Sequence, residues 1–184
     1  MKKHFRSILI AIFGFGYISY GQSIQPTDLK VVFIRHGEKP EKGSNLTCKG
    51  INRSLKLPAL LSKKVGVPDF IYVPSLTSGV KTKHARMFET VIPLASEYNI
   101  EIDSKFEETD SSGIANDIKQ KKGTVLVVWE HKAISTIVHA LGVKYDTDWA
   151  SDDYDSMLII TFKDGKATLT TDTEGLNPSD DCPN

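Results

Sequence analysis

The sequence has few cysteines, no long apolar run and no excess of charge of either sign. Two cysteines in 184 residues, Cys48 and Cys182, exclude a scaffold held mainly by disulfides. Basic and acidic residues number 23 each, and no basic tract stands out, so a nucleic-acid partner is not expected. Internal repeats and low-complexity segments are lacking, which excludes a solenoid or a disordered tether. The apolar run "ILIAIFGFGYI" is 11 residues long, short of the roughly 20 that a membrane-spanning helix needs.

That run sits near the start of the chain, where its context gives it a meaning. It follows "MKKHFRS", which carries Lys2, Lys3 and Arg6 and no acid, and it precedes the small residues Ser19 and Gly21. This charged, apolar, small-residue order predicts a secretory signal peptide over 1–21 and an exported domain, periplasmic or secreted, over 22–184. An uncleaved N-terminal anchor is the alternative. After cleavage no stable membrane span is expected. Loss of the three basic residues leaves 20 against 23, a net charge of −3. In an exported chain, two cysteines favour a Cys48–Cys182 disulfide, with two free thiols as the alternative.

The mature chain alternates strand and helix. Short β-rich apolar runs predict strands at 29–34, 69–75 and 124–129. Helical spacing predicts helices over 47–66, 83–98, 111–123 and 133–142, with Pro58 and Pro93 expected to kink or split the first two. The stretch 156–172 reads as a hairpin turning at Asp164-Gly165, a type I′ pair. The implied fold is α/β: a three-layer α/β/α sandwich, with a mostly parallel central sheet and a C-terminal antiparallel hairpin. Such sheets bind ligands at the carboxyl ends of their strands. Arg35 and His36 follow the first strand, and Glu130 and His131 follow the strand at 124–129.

The residue types at those two strand ends suit an oxyanion. Arg35 offers a planar fork of donors, and His36 is a candidate nucleophile or base near neutral pH. Gly37 is expected to let a ligand approach the backbone, and Lys39 adds an auxiliary cation. Arg86 and Thr90 share one helix face, four residues apart. Arginines around two histidines point to phosphoryl transfer. Two histidines with Glu130 form an alternative zinc set, but no short ligand spacing supports it.

At these residues the chain resembles the histidine phosphatase superfamily, in its phosphoglycerate mutase-like branch. "RHGEKP" (35–40) is similar to the family's Arg-His-Gly motif. "LTCKGINRS" (46–54) is similar to Leu-Thr-x-x-Gly-x-x-Gln-Ala, with Arg53 in place of the usual glutamine. "RMFET" (86–90) resembles Arg-Ala-x-Gln-Thr, and "VLVVWEH" (125–131) resembles the strand that delivers the second histidine. The resemblance implies a phosphomonoester hydrolase with no cofactor and no metal. His36 would form a phosphohistidine, with Arg35, Arg86 and His131 around the phosphoryl oxygens and Lys39 as an auxiliary phosphate ligand. The proton donor is expected to be Glu108, with Glu107 or Glu130 as alternatives. A small phosphorylated substrate is implied. A non-catalytic phosphate- or phosphoglycan-binding module on the same fold is the alternative function.

Overall fold

A computed structural model describes residues 28–76 and 82–183. The segment read as a signal peptide, 1–21, lies outside the described residues. In chain order the elements are β1 (Leu29–Arg35), α1 (Cys48–Lys64), β2 (Phe70–Tyr72), α2 (Ala85–Tyr98), β3 (Ile102–Asp103), α3 (Ser111–Ile118), β4 (Gly123–Trp129), α4 (His131–Ala140), β5 (Ser156–Lys163) and β6 (Lys166–Thr173). They form one sheet in the order β3-β2-β4-β1-β5-β6. The pairs β1–β4, β2–β4 and β2–β3 are parallel, while β1–β5 and β5–β6 are antiparallel.

The apolar runs of β1 and β4 follow from burial on both faces. Val31, Phe33, Val125 and Val127 point to one side, against Ile114 and Ile118 of α3 and Ile134 and Ile137 of α4. Val32, Ile34, Leu126 and Val128 point to the other, against Leu57 and Leu61 of α1 and Val91 and Leu94 of α2. Each such side chain contributes about 1.5–3 kcal/mol by leaving water. That packing explains why two expected interruptions are absent. Pro58 and Pro93 lie inside continuous helices. A proline costs an interior helix about 3 kcal/mol. Here each is flanked by fully buried residues, Leu57 and Leu61 or Val91 and Leu94, which offset it. At the hairpin, Asp164 and Gly165 both have positive φ, 49° and 72°, as a type I′ turn requires.

No helix of the described residues is long and apolar enough to cross a membrane. The C-terminal tail returns to the first turn of α1. Cys182 is joined to Cys48 by a disulfide. Beside it, Asn52 Nδ2 donates to the carbonyls of Ser179 and Asp181 at 2.9 and 2.6 Å. The bridge spans 134 residues, and in the chain-entropy account such a long loop is worth up to about 4.7 kcal/mol. Reduction, or Cys48→Ser, should therefore lower the melting temperature while leaving the far-ultraviolet dichroism of the folded state unchanged. An unchanged melting curve would show that the bridge adds nothing to stability.

Candidate active site

The site begins with strand register. β1 and β4 run parallel and pair up to Arg35 opposite Trp129. The next residues, His36 and Glu130, therefore leave the sheet side by side, and His131 opens α4. His36 is fully buried. Its Nδ1 lies 2.7 Å from the Gly37 carbonyl oxygen, an acceptor that requires a proton on Nδ1 and turns Nε2 outward. Nε2 meets Glu130 Oε2 at 3.2 Å. The other oxygen, Glu130 Oε1, rests against His131 Nδ1 without the alignment of a hydrogen bond. One carboxylate thus lies between the two histidines.

Arg35 is buried beside them, 1% exposed. Its Nη1 donates to the carbonyls of Ser151, Asp153 and Ala150 at 2.8, 3.1 and 3.4 Å. The Tyr154 ring stacks on its guanidinium at 4.0 Å. Its Nε and Nη2 have no partner, and neither has His131 Nδ1 in hydrogen-bond geometry. Among the described residues, these are three of the four buried side-chain polar atoms left unpaired. Unpaired buried donors are costly unless an acceptor reaches them. The local charges act together. Burial opposes ionisation of Glu130, but the hydrogen bond from His36 and the electrostatic influence of His36, His131 and Arg35 hold its carboxyl down at about 2. Burial, and then the Arg35 charge, push the His131 imidazole below its ordinary range.

The loop that carries His36 is supported by backbone contact. A Cβ on Gly37 would lie 3.0 Å from the Gly50 carbonyl oxygen, and one on Gly50 would lie 2.5 Å from that of Glu38. The expectation that Gly37 admits a ligand is corrected: its bare face is filled by Gly50 of α1. The Gly37 N–H donates to Thr90 Oγ1 at 2.9 Å, and the Thr90 hydroxyl donates to the Arg86 carbonyl at 2.6 Å. Arg53 takes up the next residue, Glu38, through Nε and Nη2. It also pairs with Asp155 and the fully buried Glu174. Three carboxylates around one guanidinium leave surplus negative charge. Burial outweighs the pull of Arg53 and raises the Glu174 carboxyl to about 8.

A pocket of about 360 Å³ opens above Glu130, walled by Arg86, His84, Met87 and Glu108 among the described residues. His84 stands at the start of α2 with a left-handed φ of 60°. Its Nδ1 meets the Ser75 carbonyl at 2.7 Å and its Nε2 meets Glu108 Oε2 at 2.8 Å. Trp129 Nε1 donates to the Glu108 carbonyl at 3.0 Å, which pins this wall to the end of β4. Arg86 faces the pocket, but its guanidinium donates to the carbonyls of Gly43 and Asn45 and not to either site histidine. Glu107 is exposed and accepts from Ser75 Oγ at 2.6 Å, outside this lining. Lys39 is exposed on the loop after Glu38. His139 is on the surface, with Nε2 at 2.8 Å from the Tyr145 carbonyl.

Sequence reasoning missed three contributions: the 150–154 cradle of Arg35, the His84–Glu108 pair and the Arg53 cluster. The first carried a signal. The stretch "ASDDYD" reads as a solvated turn, yet β5 runs antiparallel to β1, so the loop before β5 must fall at the carboxyl end of β1.

No protein-family model and no curated protein matches the chain by sequence. Solved structures do match it by shape. The protein histidine phosphatase SixA, complexed with tungstate, superposes with a TM-score of 0.57 at 15% identity, over 79% of this chain and 97% of that one. Phosphoglycerate mutase from Bacillus anthracis str. Sterne superposes with a TM-score of 0.53 at 16% identity, over 80% of this chain and 94% of that one. The chain has the histidine phosphatase fold. In this chain the parallel pairing of β1 with β4 carries Arg35, His36 and His131 to one end of the sheet.

Two predictions test this construction by stability alone. Thr90→Val leaves the buried Gly37 N–H without an acceptor and should cost about 1–3 kcal/mol in urea denaturation, whereas Thr90→Ser should retain most of it. The Glu174 carboxyl titrates at about 8 when folded and near 4.3 when unfolded, so the folded state holds the extra proton between those values. Stability should then fall as pH rises through that window. His131, drawn downward on folding, acts in the opposite sense below its ordinary pKa of about 6.5. The clearest decline therefore lies above that point, up to about pH 8. Glu174→Gln should flatten it, and an equal slope in the variant would place the proton elsewhere.

Proposed function

We propose that the protein is an exported phosphomonoester phosphatase that works through a phosphohistidine on His36. The observation that carries this reading is the convergence of Arg35 Nε, Arg35 Nη2 and His131 Nδ1 beside an imidazole whose Nε2 is turned outward. Three buried donors suit the equatorial oxygens of a phosphoryl group in transfer, where positioning and electrostatic stabilisation do most of the work. Arg86, on the pocket wall, would complete the set by exchanging its loop carbonyls for a phosphoryl oxygen. The Nε2 lone pair attacks phosphorus, the ester P–O bond breaks, and the leaving oxygen takes a proton from Glu108. Water then attacks the phosphohistidine, giving a proton back to Glu108 and releasing phosphate. Glu108 is preferred over Glu107 because it lines the pocket, where its Oε2 meets His84 Nε2 at 2.8 Å. The pocket is open, so the substrate is held mainly by its phosphate. The names of the fold neighbours, a histidine phosphatase and a phosphoglycerate mutase, support phosphoryl chemistry at this site.

One observation favours a binding module instead: the carboxylate of Glu130 lies against His36 Nε2. Turnover decides between the two. Purified 22–184 should hydrolyse phosphomonoesters, and acid-free quenching with mass analysis should find phosphate on His36. His36→Ala should abolish both, and full activity in that variant would overturn the assignment. Arg86→Ala should lose about 2–4 kcal/mol of transition-state stabilisation. Loss of the proton donor harms alkyl phosphates far more than aryl ones, since an aryl oxide leaves unaided. Glu108→Gln should show that selectivity and Glu107→Gln should not. Export is checked by fractionation and by the N-terminus of the recovered protein.

A further inference from the structure

We propose that Glu130 is the resident occupant of the oxyanion site and the base that takes the proton from His36 as a phosphoryl group enters. The occupancy rests on geometry alone, while the proton step also rests on the phosphatase reading above.

The argument starts from a proton count. His36 commits its Nδ1 proton to the Gly37 carbonyl. Its Nε2 contact at 3.2 Å is to a carboxylate oxygen, which has no proton to offer while ionised. The contact is a hydrogen bond only if Nε2 also carries a proton. At rest His36 is therefore an imidazolium with its nucleophilic lone pair blocked. It is fully buried, while the Glu130 side chain is 18% exposed and lines the pocket. Glu130 is the group between the nucleophile and the substrate. Its two oxygens meet His36 from the end of β1 and His131 from α4, groups a phosphate would also seek, while Arg35 Nε and Nη2 remain unpaired beside it. Lys83, His84, Arg86 and Glu108 line the same pocket, and Lys132 follows on α4.

An ionised Glu130 and a phosphate cannot share that cradle, because like charges repel strongly at short range. Transfer of the Nε2 proton to Glu130 Oε2 resolves both problems. It neutralises the carboxylate and frees the lone pair. The N–P bond then forms, the ester P–O bond breaks, and the leaving oxygen takes its proton from Glu108. Glu130 cannot serve that oxygen. In-line displacement puts the leaving group on the far side of phosphorus from Nε2, and Glu130 is on the near side. On hydrolysis of the phosphohistidine, the electron pair returns to Nε2 and the proton returns from Glu130.

The test uses the full mature chain with Glu130→Gln and Glu130→Ala, each checked for an unchanged fold by its melting curve. Should either unfold, Glu130→Ser replaces it. Calorimetry with inorganic phosphate at pH 7 should show binding at least about tenfold tighter in the variants, a change of about 1.4 kcal/mol. Equal or weaker binding would remove Glu130 from the anion site. The second readout is kcat/KM against pH for an aryl phosphate, which needs no proton donor. In the wild type the reactive form carries the shared proton, so the rate should fall as pH rises. In Glu130→Gln the reactive form is neutral His36, so the rate should rise with pH. Parallel profiles would overturn the base assignment. Tighter phosphate binding with no turnover and no phosphohistidine would leave the occupancy standing and overturn the phosphatase reading.

Discussion

The arrangement depends on one pairing, that of β1 with β4. Their parallel ladder continues to Arg35 opposite Trp129, so two chain segments distant in sequence leave the sheet at the same height. His36, Glu130 and His131 follow as the next residues on each side. A one-residue slip would reverse the faces of every side chain on the slipped strand. The apolar residues of β1 and β4 are buried on both faces, so burial alone distinguishes such registers weakly. The capping of His36 by the Gly37 carbonyl and the stacking of Gly37 on Gly50 supply the missing selection.

A buried guanidinium is expensive to hold, and the two buried among the described residues, Arg35 and Arg53, are held differently. Arg35 is balanced by carbonyl dipoles from 150–153 and the Tyr154 ring, which leave two of its donors unpaired. Arg53 is surrounded by the carboxylates of Glu38, Asp155 and Glu174, and none of its nitrogens is left unpaired and buried. The contrast matches their places. Arg53 sits behind the His36 loop and anchors Glu38, while Arg35 sits where an anion can be received. Incomplete satisfaction of a buried cation marks a binding position better than its burial does.

Two histidine–glutamate contacts face the same pocket and are built alike. In each, Nδ1 is locked on a backbone carbonyl and Nε2 meets a carboxylate. One pair stands at the end of β1 and the other across the pocket. In the proposed phosphatase reaction, that division sets a proton acceptor beside His36 and a proton donor at the opposite wall.

How much of this was legible in the sequence differs from residue to residue, for physical reasons. Alternation of apolar and turn-forming runs determined the α/β class, the hairpin and the strand ends that carry Arg35, His36 and His131, because those features follow from local periodicity and turn chemistry. The prolines misled, since a local breaking tendency was overridden by the burial of Leu57, Leu61, Val91 and Leu94. Glycine 37 was read toward a ligand, yet its neighbour proved to be Gly50, a contact that no local pattern encodes. His84 and Glu108 lie 24 positions apart, and only the folding of 75–76 against 106–108 brings them together. Glu130 was visible as a carboxylate beside a histidine. Its place between two histidines was decided by the tertiary structure, because the second partner, His36, arrives from another strand through the sheet ladder.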